Sequence, residues 1–356
     1  PLIIVESGSQ ADLIMRNSRL QDSGNGCIVA YPSTGTLSLT NVSFANCDGP
    51  AVWAQQAQLM LQDLVLEEGV DHGLDLTGVT GSVNGLAGHG FSGDGALISL
   101  NSIRGGFTLS NVEGDVSGLG GIIGEDNLDL AIHDIVLNGA PAIDLDLSAG
   151  TLSHVTLQGA GTGTGFVSHH GRSSQHLVVE HLTVSGYSVG VSLHSDPGEI
   201  SAPLIVRDAS ISATSALATE HYPVRLESTT VSGSMDISAT DVVAVDGLVA
   251  SVSPDAGATF ALYRTVALEA QRSGLPIAAQ FTVTYSDASL DPLVVSGVTV
   301  DVELLLRTVT ENSDSVMATW TLEAVAAGSP AAELVVSPPA TAPEVLVGTL
   351  QTNQPP

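Results

Sequence analysis

Glu125, Asp146, His169, His194 and Glu220 stand 21 to 26 residues apart, a spacing at which a repeating fold would bring them into one row. Carboxylates beside imidazoles offer three kinds of chemistry. Histidine and carboxylate together can bind Zn²⁺ or another divalent ion, and clustered carboxylates alone suit Ca²⁺. Paired carboxylates with histidines can also perform acid and base work on a polysaccharide. A fourth reading has no chemistry at all: an outward row must carry something soluble. No residue pattern requires a cofactor, and a divalent cation, Ca²⁺ or Zn²⁺, is the one the row suggests. Asp126-Asn127-Leu128-Asp129 resembles part of a calcium loop, but it lacks the Gly and distal Glu of an EF-hand and reads as a turn.

Each of the five residues closes a short alternating segment that opens with Gly or Ala. Such segments include Ala51-Val52-Trp53-Ala54-Gln55, Gly121-Ile122-Ile123-Gly124-Glu125, Ala142-Ile143-Asp144-Leu145-Asp146 and Gly190-Val191-Ser192-Leu193-His194. Alternation of this kind puts positions two and four in a core and positions three and five outside. The fifth position reads Gln55, Thr77, Ser99, Glu125, Asp146, His169, His194, Glu220. The third reads Trp53, Asp75, Leu97 or Ile98, Ile123, Asp144, Val167, Ser192, Ala218. That third row is more apolar than a free solvent face needs, so it is expected to be a contact strip.

A second phrase recurs between these segments: two aliphatic residues with a polar pair between them. It appears as Leu39-Thr40-Asn41-Val42, Leu61-Gln62-Asp63-Leu64, Leu109-Ser110-Asn111-Val112, Ile132-His133-Asp134-Ile135, Leu152-Ser153-His154-Val155 and Val179-Glu180-His181-Leu182. Its last residue falls at 18, 42, 64, 86, 112, 135, 155, 182, 209 and 229, about 23 residues apart on average. Strand alternation with this period, and no helical periodicity, stacks best as coils of a solenoid. The Asn or Asp before the last residue suits the left-handed backbone of a sharp bend. His154 and His181 fall at that bend in adjacent coils and are expected to stack on each other.

The pattern over residues 10 to 250 resembles the right-handed parallel β-helix family, which includes pectate-lyase-like enzymes and many secreted or surface proteins. The resemblance implies a polysaccharide lyase or hydrolase using Glu125, Asp146, His169 and His194 as one reading, and a structural role as the other. Family lyases use Lys or Arg to stabilise an enolate-like intermediate, yet all nine basic residues are Arg and only Arg172 falls near the row. Trp53 is the single aromatic placed on the outer face, and Asp144 with Asp146 makes only a local carboxylate pair.

Beyond Pro254 the repeat stops. Alternating runs at 263–270, 280–285, 297–306, 316–324 and 332–336 predict a small antiparallel β-sandwich, and residues 266–276 resemble the opening hairpin of Ig-like modules. The expected organisation is a β-helix of about ten coils over 1–254, an Ig-like β-sandwich over 255–349 and a proline-containing tail over 350–356. Leu2-Ile3-Ile4-Val5 is a first strand, a cap, or a strand donated to another copy.

A formal charge of −29 excludes nucleic acid and anionic membrane surfaces as partners, because both need Lys and Arg to neutralise phosphate. Absence of Lys removes Schiff-base and P-loop chemistry. No apolar run reaches the ~18 residues of a membrane span. Cys27 and Cys47 fit no zinc pattern; they form either a disulfide or two buried thiols. The excess of acid suits an extracellular or cell-surface location. The expected function is a secreted or surface structural and adhesive module, whose partners are copies of itself or cell-surface proteins and glycans. It is open to assembly into a filament or layer. Polysaccharide cleavage is the alternative, and carbohydrate binding without turnover a lesser one.

Overall fold

A computed structural model describes residues 2–5, 12–31, 35–67, 72–88, 95–116, 120–171, 175–199, 201–272, 274–317, 319–327, 331–336 and 344–349. Arg172, the prolines of 337–343 and the 350–356 tail lie outside the described residues. A lone alternating strand cannot bury its apolar side, but a parallel stack buries each inward residue against its copies above and below. Ile28, Val52, Leu74, Ile98, Ile122, Ile143, Phe166, Val191, Leu217 and Met235 form such a ladder, each in parallel register with the next. None is more than 1% exposed, and burial of each side chain is worth roughly 1.5–3 kcal/mol against exposure. A second ladder runs through Leu39, Leu61, Val83, Leu109, Ile132, Leu152, Val179, Val206 and Leu226. The result is an all-β, right-handed parallel solenoid of about nine turns.

The bends follow from residue type. Asn17, Asn41, Asp63, Asn111, Asp134, His154, His181 and Asp208 all have φ between 49° and 58°, and Gly85 takes the same place at 83°. Asn and Asp visit this left-handed region readily, whereas other side chains with a Cβ cost roughly 1–2 kcal/mol there. Asn41 Nδ2 also donates to Asn17 Oδ1 at 2.8 Å, adding a side-chain bond between coils. His154 and His181 stack with ring centroids 4.7 Å apart and planes 28° from parallel.

Ile3–Val5 pairs in parallel with Ile28–Ala30, so the segment is the first strand of the solenoid. Cys27 and Cys47 are joined in a disulfide across 20 residues. A loop of that length stabilises the fold by about 3 kcal/mol through the entropy of the unfolded chain.

At the other end, strand Thr259–Arg272 belongs to both parts of the protein. Its residues 259–263 pair in parallel with Asp241–Val245, while its opposite edge takes Thr299–Thr310 antiparallel. That antiparallel strand covers the backbone edge that the last coil would otherwise leave open. Leu293–Gly297, Ala279–Tyr285, Trp320–Val325 and Ala332–Val336 form a four-stranded antiparallel sheet. The sheet shares a core with the extended strands around Val266, Leu268, Phe281, Leu304 and Trp320. The run expected at 316–324 is divided. Ser313–Val316 makes a hairpin with Thr299–Thr310, and Trp320 turns inward, its Nε1 donating to the Leu305 carbonyl at 3.0 Å.

The bends give a direct test. Asn41→Val is expected to lower stability in urea denaturation by roughly 1–2 kcal/mol, and Asn41→Gly by less. Equal losses for the two variants would mean that the backbone conformation is not what the residue supplies.

Candidate functional site

One sheet of the solenoid carries the expected row on its outer surface. Gln55, Thr77, Asn101, Glu125, Asp146, His169, His194, Glu220 and Ser238 follow one another in parallel register. The structure therefore brings Glu125, Asp146, His169, His194 and Glu220 together as consecutive neighbours, about 4.8 Å apart along the stack. One coil differs from the expectation: Asn101 stands where Ser99 was placed, and Ser99 occupies the third row. The cause lies in the core. Leu97 is fully buried, and its two methyl groups fill the space left by Gly88 and Gly114, where an added Cβ would meet them at 2.7 and 2.9 Å. Leu97 and Ile98 thus leave the outer strip. What remains of it, Trp53, Ile123, Val167 and Ala218, is interrupted by Asp75, Ser99, Asp144 and Ser192.

His170 and Asp196 join the site from the ends of strands. His170 takes a left-handed bend with φ 47° directly after His169, which holds its ring beside the row. The rings of His169, His170 and His194 form a nearly equilateral triangle, with centroids 6.3, 6.3 and 6.4 Å apart. Carboxylates surround it. His170 Nδ1 lies 3.0 Å from Asp146 Oδ1 and its Nε2 lies 3.5 Å from Asp196 Oδ2. His194 Nδ1 lies 3.2 Å from Glu220 Oε2, and His169 Nε2 lies 3.7 Å from Asp144 Oδ1. Sequence spacing gives no sign of His170, because its place depends on a bend rather than on the repeat.

Each imidazole is thereby directed at a carboxylate rather than at a shared centre. Among the described residues, no three His, Cys, Asp or Glu side chains are arranged to hold one metal ion. Asp126 and Asp129 sit at left-handed turn positions. The fully buried Asn127 between them accepts from the Ile103 amide and donates to the Leu100 carbonyl, both at 2.9 Å, so this segment is a pinned turn.

Two shallow clefts flank the triangle on the same face. One of about 360 Å³ is lined by Asn101, Ile123, Glu125, Asp144, Asp146 and His169. The other, about 310 Å³, is lined by residues including His194, Glu220, Asp236, Ser238 and Asp255. Burial raises the Asp144 carboxyl above its ordinary range; Asp146 adds to the rise, and His169 opposes it. A carboxyl with raised affinity for its proton, next to a second carboxylate in a cleft, is the arrangement that acid and base chemistry uses.

No family model, curated protein or solved structure matches the chain.

His170 binds its proton more tightly than usual, chiefly because Asp146 accepts its hydrogen bond, helped by the charges of Asp146, Asp196 and Glu199 and opposed by burial. A group whose folded value is raised contributes stability in full below its ordinary value of 6.5 and loses it as pH rises through the folded value. The stability difference between wild type and His170→Asn is therefore expected to be larger near about pH 5.5 than near about pH 8.5, measured by chemical denaturation. The same difference at both values would contradict the pairing with Asp146.

Proposed function

We propose that this protein is an extracellular structural and adhesive module that holds a linear glycan along one face of a stiff solenoid. The observation that carries the reading is the gathering of Glu125, Asp144, Asp146, His169, His194 and Glu220, with both clefts, on a single outward sheet. A flat row of hydrogen-bonding groups repeating every ~4.8 Å suits a polymer whose own units repeat. Pairing of His169 with Asp144, His170 with Asp146 and His194 with Glu220 favours holding over turnover, because these groups already have partners. The Cys27–Cys47 disulfide agrees with an oxidising, extracellular setting. The C-terminal antiparallel unit, with Trp320 fully buried in its core, is read as an Ig-like spacer. Assembly into a filament or layer belongs to the same reading, supported by the exposure of Ile4 and Ile14 on the first coil.

A catalytic reading has one specific observation in its favour, the raised Asp144 carboxyl beside Asp146. Incubation with uncharged, amine-bearing and uronate oligosaccharides separates the two. The adhesive module binds at least one of them and releases no new reducing or unsaturated ends. Cleavage that disappears in Asp146→Asn or His169→Ala would replace adhesion with polysaccharide cleavage.

A further inference from the structure

We infer that Tyr31 and Trp53 form an aromatic subsite for a sugar ring at one end of this face, and that the glycan bound there carries no anionic groups; the inference rests on the glycan-holding reading above. Trp53 stands in the same outward row as Asp75, Ser99, Ile123 and Asp144. Four parallel steps separate it from Asp144, or about 19 Å at ~4.8 Å per step. Tyr31 lies one residue beyond the Ala30↔Ala54 pair, and 37% of it is exposed. The two rings meet edge to face, with centroids 5.8 Å apart and planes 67° from parallel.

Tyr31 is exposed and Trp53 half-buried, and such a pair has an apolar face and a polar rim, which matches a pyranose ring with its C–H face and its equatorial hydroxyls. Among the described residues of the outer rows between Val29 and Asp144, this pair and Ile123 are the large apolar side chains; the others are carboxylates, hydroxyls, amides and small side chains. One sugar unit of an extended chain is close in length to one coil. A ring seated on Trp53 therefore directs the following units over Asp75 and Ser99 into the cleft at Glu125, Asp144 and Asp146.

Charge selects the class of chain. Among the described residues, those lining the two clefts include Glu125, Asp144, Asp146, Glu220, Asp236 and Asp255, and no Arg. The chain as a whole carries −29. Uronate or sulfated polymers would place like charges within a Debye length, about 8 Å at physiological salt, of these carboxylates. Uncharged or amine-bearing sugars avoid that repulsion.

Isothermal titration with β-1,4-linked glucose hexamer, glucosamine hexamer, galacturonate hexamer and glucose dimer tests both halves. At least one of the two non-anionic hexamers is expected to bind, and galacturonate hexamer to bind at least roughly tenfold more weakly. Trp53→Ala is expected to weaken the bound hexamer by roughly tenfold or more, with Tyr31→Ala weakening it less. The urea midpoint of each variant checks that the fold is kept, and Trp53→Phe is expected to retain most of the affinity. Unchanged hexamer affinity in a folded Trp53→Ala protein would overturn the subsite, as would tightest binding by galacturonate, while leaving glycan holding intact. Failure of all four probes to bind would overturn the functional reading together with the subsite.

Discussion

Parallel backbone hydrogen bonding between successive coils holds equivalent residues about 4.8 Å apart, and the core, the bends and the outer row all inherit that spacing. Inward positions become continuous aliphatic columns, as from Ile28 to Met235. Outward positions become columns too, whatever their chemistry. Side chains some two dozen residues apart in sequence are thereby set against each other without a loop having to fold over them. The carboxylate and imidazole row is a consequence of the stack, and its geometry is only as firm as the stack beneath it.

Because each coil touches only its neighbours, local devices decide whether the spacing is maintained. Left-handed Asn, Asp, His and Gly residues, and Ser228 in one coil, turn the chain at the same place in successive coils. Small residues open space where one side chain is too large for its layer, as Gly88 and Gly114 do for Leu97. The ends need separate treatment. At the C-terminal end, Thr299–Thr310 runs antiparallel along the last coil, and Thr259–Arg272 continues beyond it, where its residues 266–271 pair in parallel with Glu344–Thr349. Near the N-terminal end, the disulfide ties Cys27 to Cys47.

The architecture was legible because its signal is periodic. Asn41, Asp63 and Asn111 mark the bends by type, and the Glu125, Asp146, His169, His194, Glu220 register could be counted from segments opening with Gly or Ala. The coil at 96–101 departs from the sequence expectation because Gly95 imitates such an opening while the strand pairs two residues later, a shift enforced by burial of Leu97. His170 and Asp196 were not assigned to the row for a different reason. Their positions depend on a bend and on the path of a longer coil, and neither leaves a periodic trace. The antiparallel strands were visible as alternating runs, but the sharing of Thr259–Arg272 between both parts was not, since one alternation serves parallel and antiparallel pairing alike.

Spin-label distances on the outer row measure the stack directly. With one label at position 55 and the other at 146, 194 or 238 in turn, the register places the pairs four, six and eight steps apart. Pulsed electron resonance should then give mean separations near 19, 29 and 38 Å, growing by ~4.8 Å per step. Separations that fail to lengthen in this order, or that rise by a different increment, would contradict the coil register on which the site depends.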